Sequence, residues 1–396
     1  MTQIINSIRS FFKGDKWLLS AVIFLIVLSV LAVYSSTSAL AYQKMHGDTA
    51  YYLGRHCVML LVGLVALGTV SHIRPKYFSG TAELMLVASI ALLALALVAG
   101  SSINGSSRWL RMGGLTFQPS ELAKISLMIY AAKQLAKHDN DPDKAFWPIV
   151  VATGMVCGLI LLENLSTFVL VAISIGTLMI VGRISLLRLG LLGAGLGVFI
   201  GLIIYFAPVV SEAFPPARRA MTWRARIERF SRSDDDKAQG ARRNDKTQEE
   251  QALTAVSTGG LAGRGPGNSY MKNFLPMAYS DFIFSTILEE YGLWGGILVV
   301  LAYFVIFARA RDVAIHCKKP FHLYTIAGIG ILLTLQALIN MMVGVGLMPV
   351  TGQTLPMVSM GGTSNLITGM AYGVMLSMSN ETQRLTQEAE QSKDSQ

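Results

Sequence analysis

Charge is what this sequence has least of: Asp, Glu, Lys and Arg make up 14% of 396 residues, while 52% are hydrophobic. A soluble domain carries roughly 25% charged residues, and a chain this poor in charge could not cover its own surface. The scarcity excludes a soluble globular enzyme, a disordered chain and a collagen. Cysteine is nearly missing too. Three cysteines, an odd number, build no disulfide framework. Cys57 and Cys157 fall in apolar stretches and read as small packing residues, Cys317 lies in a basic loop, and no Cys/His spacing resembles a zinc site. The glycine run at 259–267 lacks the Gly-Lys-Ser/Thr ending of a nucleotide P-loop. No internal repeat divides the chain, as it would in an inverted-repeat transporter. Acidic residues trail basic ones, 24 against 33. In a polytopic membrane chain that excess belongs to loops facing anionic lipid and speaks for no nucleic-acid partner.

What is there is a succession of apolar stretches. A bilayer core needs about 20 apolar residues per helix. The sequence predicts an all-α membrane protein of ten spans, near 17–36, 52–71, 82–100, 120–137, 147–163, 165–182, 186–207, 282–308, 321–345 and 356–379. The first span follows Arg9, Lys13 and Lys16 and ends near Ser38-Ala-Leu-Ala41, like a signal peptide. Its apolar run is longer than a usual h-region, so it reads as a retained span. With the N-terminus inside, the inside segments hold sixteen Lys and Arg, and the short outside segments hold four: Lys44, Arg55, Arg108 and Arg111. This asymmetry puts both termini in the cytoplasm. The organisation follows: a cytoplasmic N-terminus at 1–16, seven spans over 17–207, a long extracytoplasmic loop at 208–281, three spans over 282–379 and a cytoplasmic tail at 380–396. That loop begins basic, with Arg218 to Arg232, and turns polar from Ser233 to Gln251. A helix is expected over Ala252–Val256, and the tail is expected to fray after Glu381.

Polar residues cluster at the outer helix ends, where they are informative. The first cluster runs from Gly105 to Lys124 and holds Arg108, Trp109, Arg111, Gln118 and Glu121. Pro119 suits the first turn of a helix, and Glu121 and Lys124, three apart, share its face. A lysine one turn below the surface needs an anion, either Glu121 or a ligand phosphate. Trp109 also fits an ordinary interfacial belt. The second cluster runs from Leu275 to Gly292. Asp281 sits where the loop enters span eight. Partial desolvation there would raise its pKa toward that of a general base, and a helix-start Asp is the plainer alternative. Glu289 and Glu290 lie deeper and read as structural or orienting groups, with Lys124 a candidate partner for Glu289. The third cluster, Leu347 to Ser364, holds Pro356, Ser359, Gly361 and Gly362. Its glycines and prolines predict a broken backbone, tolerated at this depth only when buried in protein or lining a wet cavity. The turn Glu163-Asn-Leu-Ser-Thr167 is a further candidate wall. An enzyme, a transporter of lipid-linked sugar and a non-catalytic scaffold all remain compatible with such a chain. Crowding at one surface, rather than at the midplane, favours the enzyme.

Together these motifs resemble one family. Ser107-Arg-Trp with Gln118-Pro-Ser-Glu-Leu-Ala-Lys124, Leu275-Pro with Ser280-Asp-Phe-Ile-Phe and Glu289-Glu-Tyr-Gly, and Thr351-Gly-Gln-Thr-Leu-Pro with Ser359-Met-Gly-Gly-Thr-Ser are similar to the SEDS family (shape, elongation, division and sporulation; FtsW/RodA). The wording at 351–356 and Gly263-Arg-Gly-Pro-Gly-Asn-Ser269 are similar to its FtsW cell-division branch; the RodA elongation branch is the alternative. The resemblance implies a peptidoglycan glycosyltransferase that polymerises lipid II at the outer face of the cytoplasmic membrane, with inversion. It implies Asp281 as catalytic base. Lys124, Arg108 and Arg111 become candidate cations for the departing pyrophosphate. Gln118, Glu121, Trp109, Ser359, Gly361 and Gly362 become candidate substrate contacts, and Pro356, Glu289 and Glu290 orienting residues. It further implies a class B penicillin-binding transpeptidase and other division proteins as partners. The sequence requires no cofactor; a divalent cation near the pyrophosphate is left open, since no carboxylate cluster demands one. The chain departs from the family pattern at Glu163-Asn-Leu-Ser-Thr167, where many relatives read Pro-Asp-Leu-Gly-Thr. It departs again at Met277 and Ser280, where relatives carry Glu and Thr.

Overall fold

The computed structural model describes residues 14–37, 49–103, 106–112, 115–208, 221–225, 248–271, 274–275 and 277–394. Long helices dominate. In chain order they are α1 Lys16–Ser36, α2 Thr49–Ser71, α3 Pro75–Ala99, α4 Pro119–Lys137, α5 Phe146–Leu161, α6 Leu165–Val181 and α7 Leu186–Tyr205. After the loop region come α8 Gln248–Gly259, α9 Ile283–Ile315, α10 Pro320–Gly344 and α11 Thr363–Asp394. Among the described residues, seven helical stretches are long and apolar enough to cross a membrane. Three helices that the sequence reading counted as spans fall outside that set. Helix α6 is short, at 17 residues, α4 carries Glu121, Lys124, Lys133 and Lys137, and the second half of α11 is polar.

Helix starts follow from local chemistry. Proline opens α3, α4 and α10, where its missing N–H costs nothing. Asp15 caps α1 by accepting from the Leu18 amide at 2.8 Å, and Asn164 caps α6 through the Ser166 and Thr167 amides at 3.0 and 3.3 Å. Helices α4 and α10 are central, buried on most of their circumference. Helix α7 has no buried residue at all and stands at the periphery. Helices α2 and α11 cross in close contact. A Cβ on Gly369 would fall 2.2 Å from the Gly63 carbonyl oxygen, so only glycine admits this approach.

Three expectations change. The segment at 101–119, read as a plain loop, holds a small antiparallel sheet: β1 Ser101–Ile103, β2 Ser106–Met112 and β3 Leu115–Phe117, in the order β1-β2-β3. Trp109 stands opposite Ser101 and Arg111 opposite Thr116. The last span does not start at 356. The chain from 351 to 362 is irregular, with Met357 at φ 62° and Gly362 at φ 54°, and α11 begins only at Thr363. Nor does the helix end after Glu381: it runs on to Asp394, supported by Arg384 pairing with Glu381 at 3.6 Å and with Glu388 at 3.2 Å one turn away. The helix expected at 252–256 is present as α8. The basic run at 218–232, apart from 221–225, and the polar stretch up to 247 lie outside the described residues.

Candidate active site

Asp281 closes a tight turn that leads into α9. Met277 takes a left-handed conformation, φ 60°, and its carbonyl accepts from the Ser280 and Asp281 amides at 2.9 and 3.1 Å. The turn is held by the broken segment before α11. The Ser359 hydroxyl donates to the Ser280 carbonyl at 2.7 Å and accepts from the Leu355 amide at 2.8 Å. The Met360 amide donates to the Tyr279 carbonyl at 2.9 Å. Asn340 of α10 donates to the carbonyls of both Asp281 and Gln353, at 3.0 and 2.7 Å. The backbone under Asp281 is thus fixed from two sides, while its half-buried carboxylate keeps a 2.9 Å bond from the Ser280 hydroxyl. Gly352 passes beside it: a Cβ there would lie 3.7 Å from Oδ2. Burial first, then the Asp281 charge, push the Tyr279 phenol above its ordinary value.

Lys124 is 1% exposed and Glu121 8%. Glu121, one of the two anions the sequence left open, pairs with Lys124: Nζ lies 2.8 Å from its Oε1 and 2.8 Å from Gln336 Oε1. Gln336 in turn donates to the Thr354 carbonyl at 3.0 Å. Gln336 and Asn340 are four apart on α10 and so share one face. The Lys124 pair and the Asp281 backbone are therefore tied to successive turns of one helix, and to the adjacent residues Gln353 and Thr354. Gln353 also donates to the Thr167 hydroxyl at 2.7 Å, which brings the 163–167 turn to the same cluster.

Lys124 does not meet Glu289. That carboxylate, fully buried on α9, holds the loop that precedes the turn. It accepts from the Ser269 hydroxyl at 2.5 Å and from the Tyr270 and Met271 amides at 2.8 and 3.3 Å, with Arg264 at 3.9 Å. The loop docks onto a kink at Gly292, φ 65° and ψ −164°. The kink frees the carbonyls of Glu289 and Glu290, which accept from the Arg264 and Gly265 amides at 2.9 Å each, while the Leu293 amide donates to Gly260 at 3.0 Å. The glycine run at 259–267 is therefore a backbone docking strip. Glu290 accepts from the Ser35 hydroxyl, linking α9 to α1.

The other sequence candidates distribute as follows. Gln118 sits at the N-cap of α4 and donates to Ser120 at 3.0 Å. Trp109 is half-buried in β2. Gly361 and Gly362 lead into α11, where Thr363 donates to the Thr116 carbonyl at 2.8 Å and ties the segment to β3. Pro356 is buried, and its carbonyl accepts from the Tyr303 hydroxyl at 2.5 Å. The side chains of Arg108 and Arg111 lie outside the described residues. Gln336, Asn340 and Gln353 were missed as site residues. The signal for the first two was present: both are amides in an apolar span, four apart. A search for ionisable groups alone passes over them. Among the described residues no group of three or more His, Cys, Asp or Glu gathers in a way that could hold a metal.

Residues 16–384 match the cell cycle protein family of FtsW, RodA and SpoVE. The chain belongs to the FtsW/RodA/SpoVE family. Its FtsW relatives include the probable peptidoglycan glycosyltransferase FtsW of Thioalkalivibrio sulfidiphilus, 33% identical over 374 residues that cover 93% of this chain and 90% of that protein. The protein of the same description from Geobacter metallireducens is 31% identical over 370 residues, covering 93% and 95%. Among solved structures, a chain of a peptidoglycan synthase complex that coordinates polymerization and crosslinking superposes with a TM-score of 0.70 at 27% identity, over 93% of this chain and 98% of that one. The rod shape determining protein RodA of Thermus thermophilus shares the fold, with a TM-score of 0.64 over 93% and 97% of the two chains. As a member of the FtsW/RodA/SpoVE family with seven membrane-crossing helical stretches among its described residues, the chain is a multi-pass membrane protein.

Proposed function

We propose that this chain is a peptidoglycan glycosyltransferase of the cell-division type, which polymerises lipid II at the outer face of the cytoplasmic membrane with Asp281 as its general base. The observation that carries the reading is the immobilised turn under Asp281, which presents a half-buried carboxylate beside the broken 351–362 segment. A base of this kind must be rigidly aimed and still reachable by substrate. The Asp281 carboxylate takes the proton of the acceptor sugar's 4-hydroxyl. That oxygen bonds to the donor's anomeric carbon, the bond from that carbon to the pyrophosphate oxygen breaks, and the lipid pyrophosphate leaves with the electron pair. The configuration at carbon inverts. Positive charge stabilises the departing pyrophosphate. Lys124 supplies it from the pair with Glu121, and Arg108 and Arg111 supply it from the β2 strand. Gln118, Trp109, Gly361 and Gly362 line the path of the substrate, while Ser359, fully buried, acts by holding the catalytic turn. The long extracytoplasmic loop at 208–281 ends on the catalytic turn.

A class B penicillin-binding transpeptidase is the partner this reading implies, supported by likeness to a synthase complex that couples polymerization with crosslinking. The deciding experiment uses the purified full chain in lipid vesicles with lipid II. Polymer is expected from the native protein, and a loss of about a hundredfold or more from Asp281→Asn at unchanged melting temperature. Equal product from both proteins would overturn the assignment.

A further inference from the structure

At the end of the bundle opposite Asp281, a cavity of about 230 Å³ opens between the starts of α3 and α10 and the side of α11. Residues 363 and 381 of α11 are about 27 Å apart along the helix, close to the thickness of a hydrocarbon core. The cavity therefore sits at the other membrane boundary. Arg74, Lys76, Lys319 and Arg384 surround it, with Glu381 the one carboxylate, and His322 forms part of its wall. A second polar cavity, of about 550 Å³, continues from it past Arg74 and Arg384.

Two features of this cavity are electrostatically inverted. Arg74 is the N-cap of α3 and Lys319 the N-cap of α10, and neither helix start has a side-chain cap hydrogen bond. The N-terminus of a helix carries partial positive charge and favours an anion or a Ser, Thr, Asp or Asn cap. Here two helix N-termini converge with cations on both. Neither Arg74 nor Lys319 forms an ion pair among the described residues. The second feature is His322. It is 4% exposed and lines the cavity, and its ring makes no hydrogen bond among the described residues. A ring nitrogen that reaches the cavity is free to donate to a ligand there. The bias of basic residues toward one side of the membrane accounts for cations near this surface. It does not call for them at two converging helix starts around one cavity walled by an imidazole whose ring has no hydrogen-bond partner among the described residues.

An anion resolves both. It would neutralise the two N-cap cations and take a hydrogen bond from the His322 ring. We propose that this cavity binds the phosphodiester headgroup of an anionic membrane phospholipid. The boundary depth, with half-exposed Tyr77 held under Lys76 at 5.1 Å, favours a lipid over a soluble phosphate, because aromatic and basic side chains anchor at headgroup level. Acyl chains would then run along the apolar outer face of α3.

The test is native mass spectrometry of the purified full chain titrated with phosphatidylglycerol or phosphatidylcholine. Preferential retention of one phosphatidylglycerol is expected. It should weaken about tenfold or more in Arg74→Gln/Lys319→Gln and by a smaller factor in each single variant. The single variants carry the test if the double variant melts early. Lys144→Gln, a basic site outside the cavity, should retain the lipid as the native chain does. Equal retention by the native chain and the cavity variants overturns the proposal, as does equal loss in Lys144→Gln. Displacement of the lipid by inorganic phosphate at about millimolar concentration overturns the lipid assignment in favour of a soluble anion.

Discussion

The Lys124 ammonium lies 2.8 Å from the side-chain carbonyl of Gln336, and the amide end of the same Gln336 donates to the backbone of Thr354. A buried cation is thereby wired to the irregular segment that flanks Asp281. Its charge is balanced by Glu121 on the other side. A buried pair of this kind is worth little as stabilisation in itself, but breaking it by removing one partner leaves an uncompensated charge.

Lys124→Met should therefore destabilise the chain by about 3–5 kcal/mol, because Glu121 then faces a low-dielectric interior alone. Lys124→Met/Glu121→Leu should recover much of that loss while staying inactive in lipid II polymerisation. Melting curves and product yield check the two halves separately. A double variant no more stable than the single would contradict the pairing.

Asn340→Leu removes two donors at once and leaves the carbonyls of Asp281 and Gln353 without them. We expect polymerisation to fall about tenfold or more through misplacement of the base, with a stability loss of about 1–3 kcal/mol. Rate and melting temperature measured on one preparation decide it. Native activity in Asn340→Leu would mean that Asp281 is held well enough by the Ser359 and Met360 contacts.

Gly292→Ala tests the docking of the glycine strip. At φ 65° an added Cβ would lie 2.4 Å from both the Gly263 amide nitrogen and the Leu261 carbonyl oxygen. The loop must then lift off the kink. Limited proteolysis should cut the 248–271 region faster than in the native chain, and melting should come earlier. An unchanged digestion pattern would show that the kink does not hold the loop.

Glu289→Gln keeps the size of the side chain but reduces its capacity to accept from Ser269, Tyr270 and Met271 together. A loss of about 1–3 kcal/mol is expected, with the 264–271 loop less protected in hydrogen exchange. If that loop stays as protected as before, Glu289 does not anchor it.

Much was legible from residue order alone. An apolar run long enough to span a bilayer leaves a helix little alternative, since every backbone N–H and C=O must be satisfied within the segment. Hence α1 to α7, α9 and α10 fall close to where hydropathy places them. Pro119 marks a helix start for a reason internal to proline; Pro75 does the same for α3, seven residues ahead of the expected start at 82. Asp281 and the Glu121–Lys124 pair stood out because ionisable groups at helix ends in an apolar chain are scarce.

Other features depended on partners far away in the chain. The amides Gln336 and Asn340 read as minor polarity in an apolar helix until Gln353, Thr354 and the Asp281 turn are packed against them. By charge Lys124 was the partner expected for Glu289, and only the path of the 260–271 loop gives it Ser269, Tyr270, Met271 and Arg264 instead. The sheet at 101–117 and the late start of α11 rest on pairing between segments, which hydropathy does not encode. Local periodicity and the cost of unpaired backbone in lipid settle which residues are helical. Which polar groups meet depends on how those helices cross, and that is a property of the packed bundle.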